Sequence, residues 1–178
     1  FKFSIDKVGG RVPVILGCGS NNTKTALALS REAHHLGANG ALVVTPYYNK
    51  ATQNGLIKMF TSIADASSIP LILYNVPSRT GCNIPVPVLQ KLSEEGAIAA
   101  VKEASGSMQT AMEILASCGD DLDVYTGCDE LTAPTLAMGG AGVISVLSGL
   151  LPAGMQLLCR LAREGDFRAA ASLQLYYL

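Results

Sequence analysis

Leu71-Ile72-Leu73-Tyr74 is apolar without alternation, and it breaks off into the polar loop Asn75-Val76-Pro77-Ser78-Arg79-Thr80-Gly81. A strand with one wet face alternates. One covered on both faces does not, which is the mark of a parallel strand between helices. The same pattern recurs at 12–16, 41–45, 98–102, 122–126 and 142–146. Helical spacing fills the gaps at 23–36, 53–66, 85–92, 108–116, 130–138 and 152–164. Asn21 and Asn22 supply a helix cap, Gly37, Gly96 and Gly119 stand at helix ends, and Pro85 and Pro152 suit first turns. Repeated β/α units of this kind leave a doubly wound sheet or a (β/α)8 barrel.

No linker or composition shift divides the 178 residues, so they read as one domain, residues 1–178. Six strands fall short of a barrel's eight. Residues 1–8 read as the tail of an amphipathic helix, and 167–178 as a helix without a stop signal. The expectation is a partial barrel cut from a longer protein at both ends.

A formal net charge of −1 gives no electrostatic case for nucleic acid or an anionic membrane. No apolar run approaches the roughly 20 residues of a membrane span, and no secretory signal is visible. Cys18, Cys82, Cys118, Cys128 and Cys159 are odd in number and never CxxC, which favours reduced thiols and a cytoplasmic setting. His34 and His35 are adjacent and do not share a helix face, so no metal site is expected. Gly17-Cys18-Gly19 follows a strand, yet Asn22 stands where a dinucleotide fingerprint has its third glycine. Gly139-Gly140-Ala141-Gly142 precedes its strand and reads as a tight turn.

Chemistry in parallel α/β folds sits at the carboxyl ends of strands. Those ends carry Thr45-Pro46-Tyr47-Tyr48-Asn49, Tyr74-Asn75 with Ser78-Arg79-Thr80, Lys102-Glu103, Thr126-Gly127-Cys128-Asp129 and Ile144-Ser145. Lys102 ends the apolar run Ile98-Ala99-Ala100-Val101. Desolvation there lowers a lysine's pKa, and a neutral lysine is an amine nucleophile able to form a Schiff base with a carbonyl. A tyrosine nearby, such as Tyr74, can shuttle the protons. The bland readings are a strand-end lysine reaching water, a core tyrosine, and a solvated turn arginine at Arg79.

Three segments together carry a resemblance: Val43-Val44-Thr45-Pro46-Tyr47-Tyr48-Asn49, Leu73 through Gly81, and Val101-Lys102-Glu103-Ala104-Ser105-Gly106. In this order they resemble the dihydrodipicolinate synthase (4-hydroxy-tetrahydrodipicolinate synthase) family, within the pyruvate-dependent class I aldolase and N-acetylneuraminate lyase superfamily. The resemblance covers the whole chain, from strand 3 of that TIM barrel to the helix after strand 8. Ser78-Arg79-Thr80-Gly81 points to the synthase branch.

The resemblance implies condensation of pyruvate with L-aspartate 4-semialdehyde through a lysine Schiff base, in lysine and diaminopimelate biosynthesis, with no cofactor and no metal. Lys102 would form the imine, Tyr74 would pass its protons, and Tyr48 would extend the relay into a neighbouring subunit's site. Arg79 would hold the semialdehyde carboxylate, and Gly127 and Ile144 would offer backbone groups to substrate. Asn21 and Tyr47 match the family's allosteric interface pocket. Thr25 stands where lysine-inhibited members carry glutamate, which implies weak or no inhibition by lysine. The family's usual state implies a homotetramer, a dimer of dimers. Its paired threonines, which clamp pyruvate, would precede Phe1, so the chain alone is expected to be weakly active or inactive. The alternatives are a sialic acid or sugar-acid lyase of the same barrel, and a non-catalytic barrel used for binding or assembly.

Overall fold

The computed structural model describes residues 1–177; Leu178, the last residue of the expected helix 167–178, lies outside them. The chain divides into two compact units, Phe1–Val101 and the residues from Lys102 onward.

In the first unit α1 (Lys2–Val8) leads to β1 (Ile15–Gly17), α2 (Thr23–His35), β2 (Gly40–Val44), α3 (Gln53–Ala66) and β3 (Leu71–Asn75). A one-turn helix, α4 (Pro77–Thr80), is followed by α5 (Val86–Glu94) and the start of β4 (Ala100–Glu103). β1, β2 and β3 pair in parallel, with Ile15 opposite Gly40 and Val44 opposite Tyr74. Parallel pairing sends every strand's carboxyl end the same way, so loops 45–52 and 76–85 emerge side by side. Leu16, Val43, Leu73 and Val101 are buried with Leu56, Phe60, Ile63, Leu89 and Leu92 of the covering helices. Each contributes about 1.5–3 kcal/mol of apolar burial, and truncating Phe60 would cost about 3–5 kcal/mol.

The second unit runs from the end of β4 through α6 (Met108–Cys118), β5 (Asp123–Thr126), α7 (Thr132–Ala137), β6 (Gly142–Val143), α8 (Pro152–Arg163) and α9 (Phe167–Tyr177). β5 and β6 are parallel, and the amide of Gly127 donates to Glu103 O at 2.7 Å, tying the end of β5 to that of β4. Ala133, Leu136, Leu158, Ala162 and Ala170 form a core among α7, α8 and α9.

Local chemistry explains most boundaries. Asn22 caps α2 by accepting from the amides of Lys24 and Thr25, Thr52 caps α3, and Ser107 caps α6. Gly37 and Gly96 take the left-handed conformation past α2 and α5. Four expectations are corrected. Gly119 ends α6 in a right-handed conformation, its amide bonded to Leu115 O as in a further helical turn. Pro85 stands just before α5 as its cap residue rather than inside its first turn. The helix expected over 130–138 splits into a 3-10 turn (Asp129–Leu131) and α7, which places Pro134 in the first turn, where its missing N–H costs nothing. Finally, β6 stops at Val143 rather than 146, because the amides of Val146 and Leu147 turn aside to the carboxylate of Asp129.

The glycine loops read as anticipated. Asn22 already occupies the amides at the start of α2, where a phosphate would bind. At Gly19 an added Cβ would stand 2.6 Å from the amide nitrogen of Val44, so this glycine serves close packing against β2. Gly139, at φ 96°, closes the α7-to-β6 turn. No helix among the described residues is long and apolar enough to cross a membrane.

Candidate active site

Lys102 and Glu103 are the last residues of β4 and both are buried, at 8% and 4% exposed. Desolvation lowers the Lys102 pKa below the usual lysine value, against the smaller opposing pull of Asp129 and then Cys128. The neutral amine is the form that attacks a carbonyl, so burial favours the nucleophilic form of this lysine. Glu103 Oε1 accepts from the amide of Ser105 at 2.6 Å, a local turn bond that fixes the course of the chain leaving β4.

Gly127 lies against this lysine. A Cβ at that position would stand 2.7 Å from Lys102 Cε and 2.6 Å from Ala104 Cβ, closer than packed carbon atoms come. Only glycine leaves the lysine stem its channel. Thr126 then bridges the turn, its Oγ1 accepting from Cys128 N at 3.1 Å and donating to Cys128 O at 3.2 Å. Burial, followed by the negative charge of Glu130, raises the Cys128 thiol pKa, which keeps this sulfur protonated and a poor nucleophile.

The amide of Gly127 is spent on Glu103 O, and that of Ile144 on Thr126 O at 2.9 Å. What each has left to offer is its carbonyl, an acceptor. Such groups suit a substrate hydroxyl or ammonium and not a carboxylate.

In the first unit, Tyr74 is half-buried near the end of β3, its carbonyl accepting from the amide of Thr45 at 3.2 Å. Asn75 is wholly buried. Its Oδ1 accepts from Ile84 N at 3.0 Å, and its Nδ2 donates to Asn83 Oδ1 at 2.9 Å. Asn75 thus closes the loop that carries α4. The Pro77-to-Thr80 segment, expected as a loop, is that one-turn helix, with Pro77 at its first position and Gly81 left-handed after it. It presents Arg79 exposed.

Tyr47, Tyr48, Lys50, Arg79, Thr80 and Gly81 line a cleft of about 600 Å³. Tyr48 is 91% exposed and left-handed at φ 74°, with Lys50 also left-handed at φ 48°. Two non-glycine residues in that region mark a strained segment. Its hold is the bond from the Tyr48 amide to Thr80 O at 3.2 Å. Asn49 Nδ2 donates to Asn21 O at 2.7 Å, which brings the Asn21 loop beside the Tyr47 loop, with Thr25 exposed in the first turn of α2.

Of the expected site residues, Gly127 packs against Lys102, Tyr47, Tyr48 and Arg79 line one cleft with Asn21 tied beside it, and Ile144 follows β6 with its amide on Thr126 O. The sequence reading missed the part played by Asp129. That residue follows a strand end, but its bonds to Val146 and Leu147 join positions 17 and 18 residues apart, which no local pattern announces.

Comparison with known proteins identifies the family. The chain is 51% identical over 174 residues to the 4-hydroxy-tetrahydrodipicolinate synthase of Geobacter sulfurreducens, covering 98% of this chain and 60% of that protein. It superposes on the crystal structure of dihydrodipicolinate synthase from Aquifex aeolicus with a TM-score of 0.96 at 43% identity, covering 98% of this chain and 60% of that one. The Acinetobacter baumannii enzyme, solved in complex with pyruvate, gives 0.94 at 38% identity, with 97% and 60% covered. The profile of the Dihydrodipicolinate synthetase family matches residues 1–177. The chain belongs to the dihydrodipicolinate synthetase family. It has the fold of a portion of that family's (β/α)8 barrel, and spans about 60% of the length of the relatives it matches.

Proposed function

We propose that the chain is part of a 4-hydroxy-tetrahydrodipicolinate synthase, a lyase that condenses pyruvate with L-aspartate 4-semialdehyde in lysine and diaminopimelate biosynthesis. The observation that carries this reading is Lys102: a buried strand-end lysine with a lowered pKa, packed on Gly127, in a chain of this family. Pyruvate bound to the Acinetobacter relative supports the choice of keto acid.

In this reading the Lys102 amine attacks the pyruvate keto carbon, and loss of water leaves an imine that tautomerises to an enamine. The enamine carbon attacks the aldehyde of the semialdehyde. Its amino group then closes the ring on the imine carbon, releasing Lys102. Tyr74 carries protons to and from the imine, with Tyr48 extending the relay from a neighbouring subunit. An exposed, strained tyrosine is suited to burial in a partner. Arg79 holds the semialdehyde carboxylate, and the Gly127 and Ile144 carbonyls accept from substrate donors. The two units belong to one barrel domain of a cytoplasmic homotetramer, and the Asn21–Tyr47 surface lies at an interface. Lacking glutamate at Thr25, that surface responds weakly to lysine, and low-millimolar inhibition would refute this.

Borohydride reduction with pyruvate, read by intact mass and peptide mapping, tests the reading. The expected result is a pyruvyl adduct on Lys102, on this chain or on one completed to the length of its relatives. No adduct on either overturns the aldolase mechanism.

A further inference from the structure

β6 ends unusually early, and what replaces its ladder is a side chain. Ile144 N makes the last rung, to Thr126 O. Two residues on, the Val146 and Leu147 amides donate to Asp129 Oδ2 at 3.1 and 3.0 Å. Val146 is 79% exposed, so its side chain does not anchor the segment. Local turns also hold the segment: Ser145 Oγ accepts from Ser148 N at 2.8 Å, Ser148 Oγ donates to Ser145 O, and the amides of Gly149, Leu150 and Leu151 donate to the carbonyls of Val146 and Leu147.

Asp129 is itself braced from behind. Its carbonyl accepts from Gln174 Nε2 at 3.0 Å and from Thr132 Oγ1 at 2.8 Å, while Gln174 Oε1 accepts from Ala133 N at 3.0 Å. Gln174 is a buried polar residue of α9 whose amide is used at both ends. The second carboxylate oxygen, Oδ1, is buried and has no hydrogen-bond partner among the described residues. Leaving a buried acceptor without a partner is costly, which argues against a purely structural tie. Asp129 also opposes, more weakly than burial lowers it, the downward shift of the Lys102 pKa.

We propose that Asp129 is a positioning residue for the Lys102 chemistry: Oδ2 fixes the backbone that follows Ile144, Gln174 braces Asp129 from behind, and the carboxylate contributes negative charge to the surroundings of Lys102. This rests on the imine reading and deepens it. The other titratable groups on this side are Glu103 next to Lys102 on β4, and Cys128 and Glu130 flanking Asp129.

The test compares Asp129→Asn, Asp129→Ala and Gln174→Ala with the parent by amide hydrogen exchange, pH-resolved labelling of Lys102 with acetic anhydride, and pyruvate trapping. Asparagine keeps an acceptor for the two amides but loses the charge. Its Val146 and Leu147 amides stay protected, while labelling of Lys102 titrates at a lower pH, because a carboxylate that favoured the ammonium is gone. Alanine loses both, so those amides exchange about tenfold faster, as for one lost charged hydrogen bond, and trapping slows at least as much. Gln174→Ala slows trapping and leaves the Lys102 labelling midpoint in place. Unchanged exchange in Asp129→Ala, or an unmoved Lys102 midpoint in Asp129→Asn, overturns the proposal. Exchange and labelling need no pyruvate, so a parent that fails to trap pyruvate counts against the imine reading alone.

Discussion

The end of β4 and the cleft at Tyr47–Arg79 are built on opposite terms. Lys102 is buried with a glycine shaped to its stem, on a strand end tied by backbone from β5 to β4, while a carboxylate takes over where β6 stops. Tyr48 and Arg79 are exposed, on a segment whose backbone is partly left-handed. The contrast follows from the tasks proposed for them. An amine nucleophile needs desolvation to shed its proton. A recognition arginine and a tyrosine meant for a neighbouring subunit must stay within reach of what they bind.

The largest effect that would break this contrast is at Lys102. Lys102→Met, similar in length and without an amine, abolishes the borohydride adduct. It also melts higher than the parent at neutral pH, because a desolvated ammonium has been removed. The parent's folded-state pKa lies below the ordinary value, so its folded form holds fewer protons than its unfolded form between the two. Stability therefore rises with pH across that window, and the melting difference shrinks towards pH about 10.4. A constant difference would mean that Lys102 is not desolvated.

Gly127→Val comes next. Its side chain would overlap Lys102 Cε and Ala104 Cβ, costing about 1–3 kcal/mol in chemical denaturation. Misplacing the amine would also slow pyruvate trapping by about 10²-fold. Near-normal trapping would show that the lysine does not depend on this channel.

At the open cleft the losses are selective. Arg79→Ala leaves trapping intact and stability within about 0.5 kcal/mol. In a chain completed to the length of its relatives, the proposed turnover with the semialdehyde falls about 10- to 100-fold, the worth of a charged hydrogen bond, and Arg79→Lys does not restore it. Unchanged turnover would favour a sugar-acid or sialic acid lyase. The smallest effect sharpens the same contrast. Lys50→Gly, at φ 48°, relieves left-handed strain and gains up to about 1 kcal/mol in a denaturant melt without altering trapping.

Much of the fold and of the site is legible in the residues themselves, for physical reasons. Buried parallel strands must be apolar throughout, so Leu71-Ile72-Leu73 and Ala100-Val101 stand out, and helices such as Gln53–Ala66 show their period and caps. Lys102 is conspicuous because a cation ending an apolar run is rare. The sequence determined the β/α order, the strand ends that carry the candidate groups and the candidate nucleophile, since each follows from local pattern and the cost of burying charge. Only the tertiary structure decided where β6 stops, why position 127 must be glycine, and that Asn75, Asp129 and Gln174 are ties rather than bystanders. Those outcomes depend on hydrogen bonds and close approaches between residues distant in the chain, such as Gln174 and Asp129, 45 positions apart.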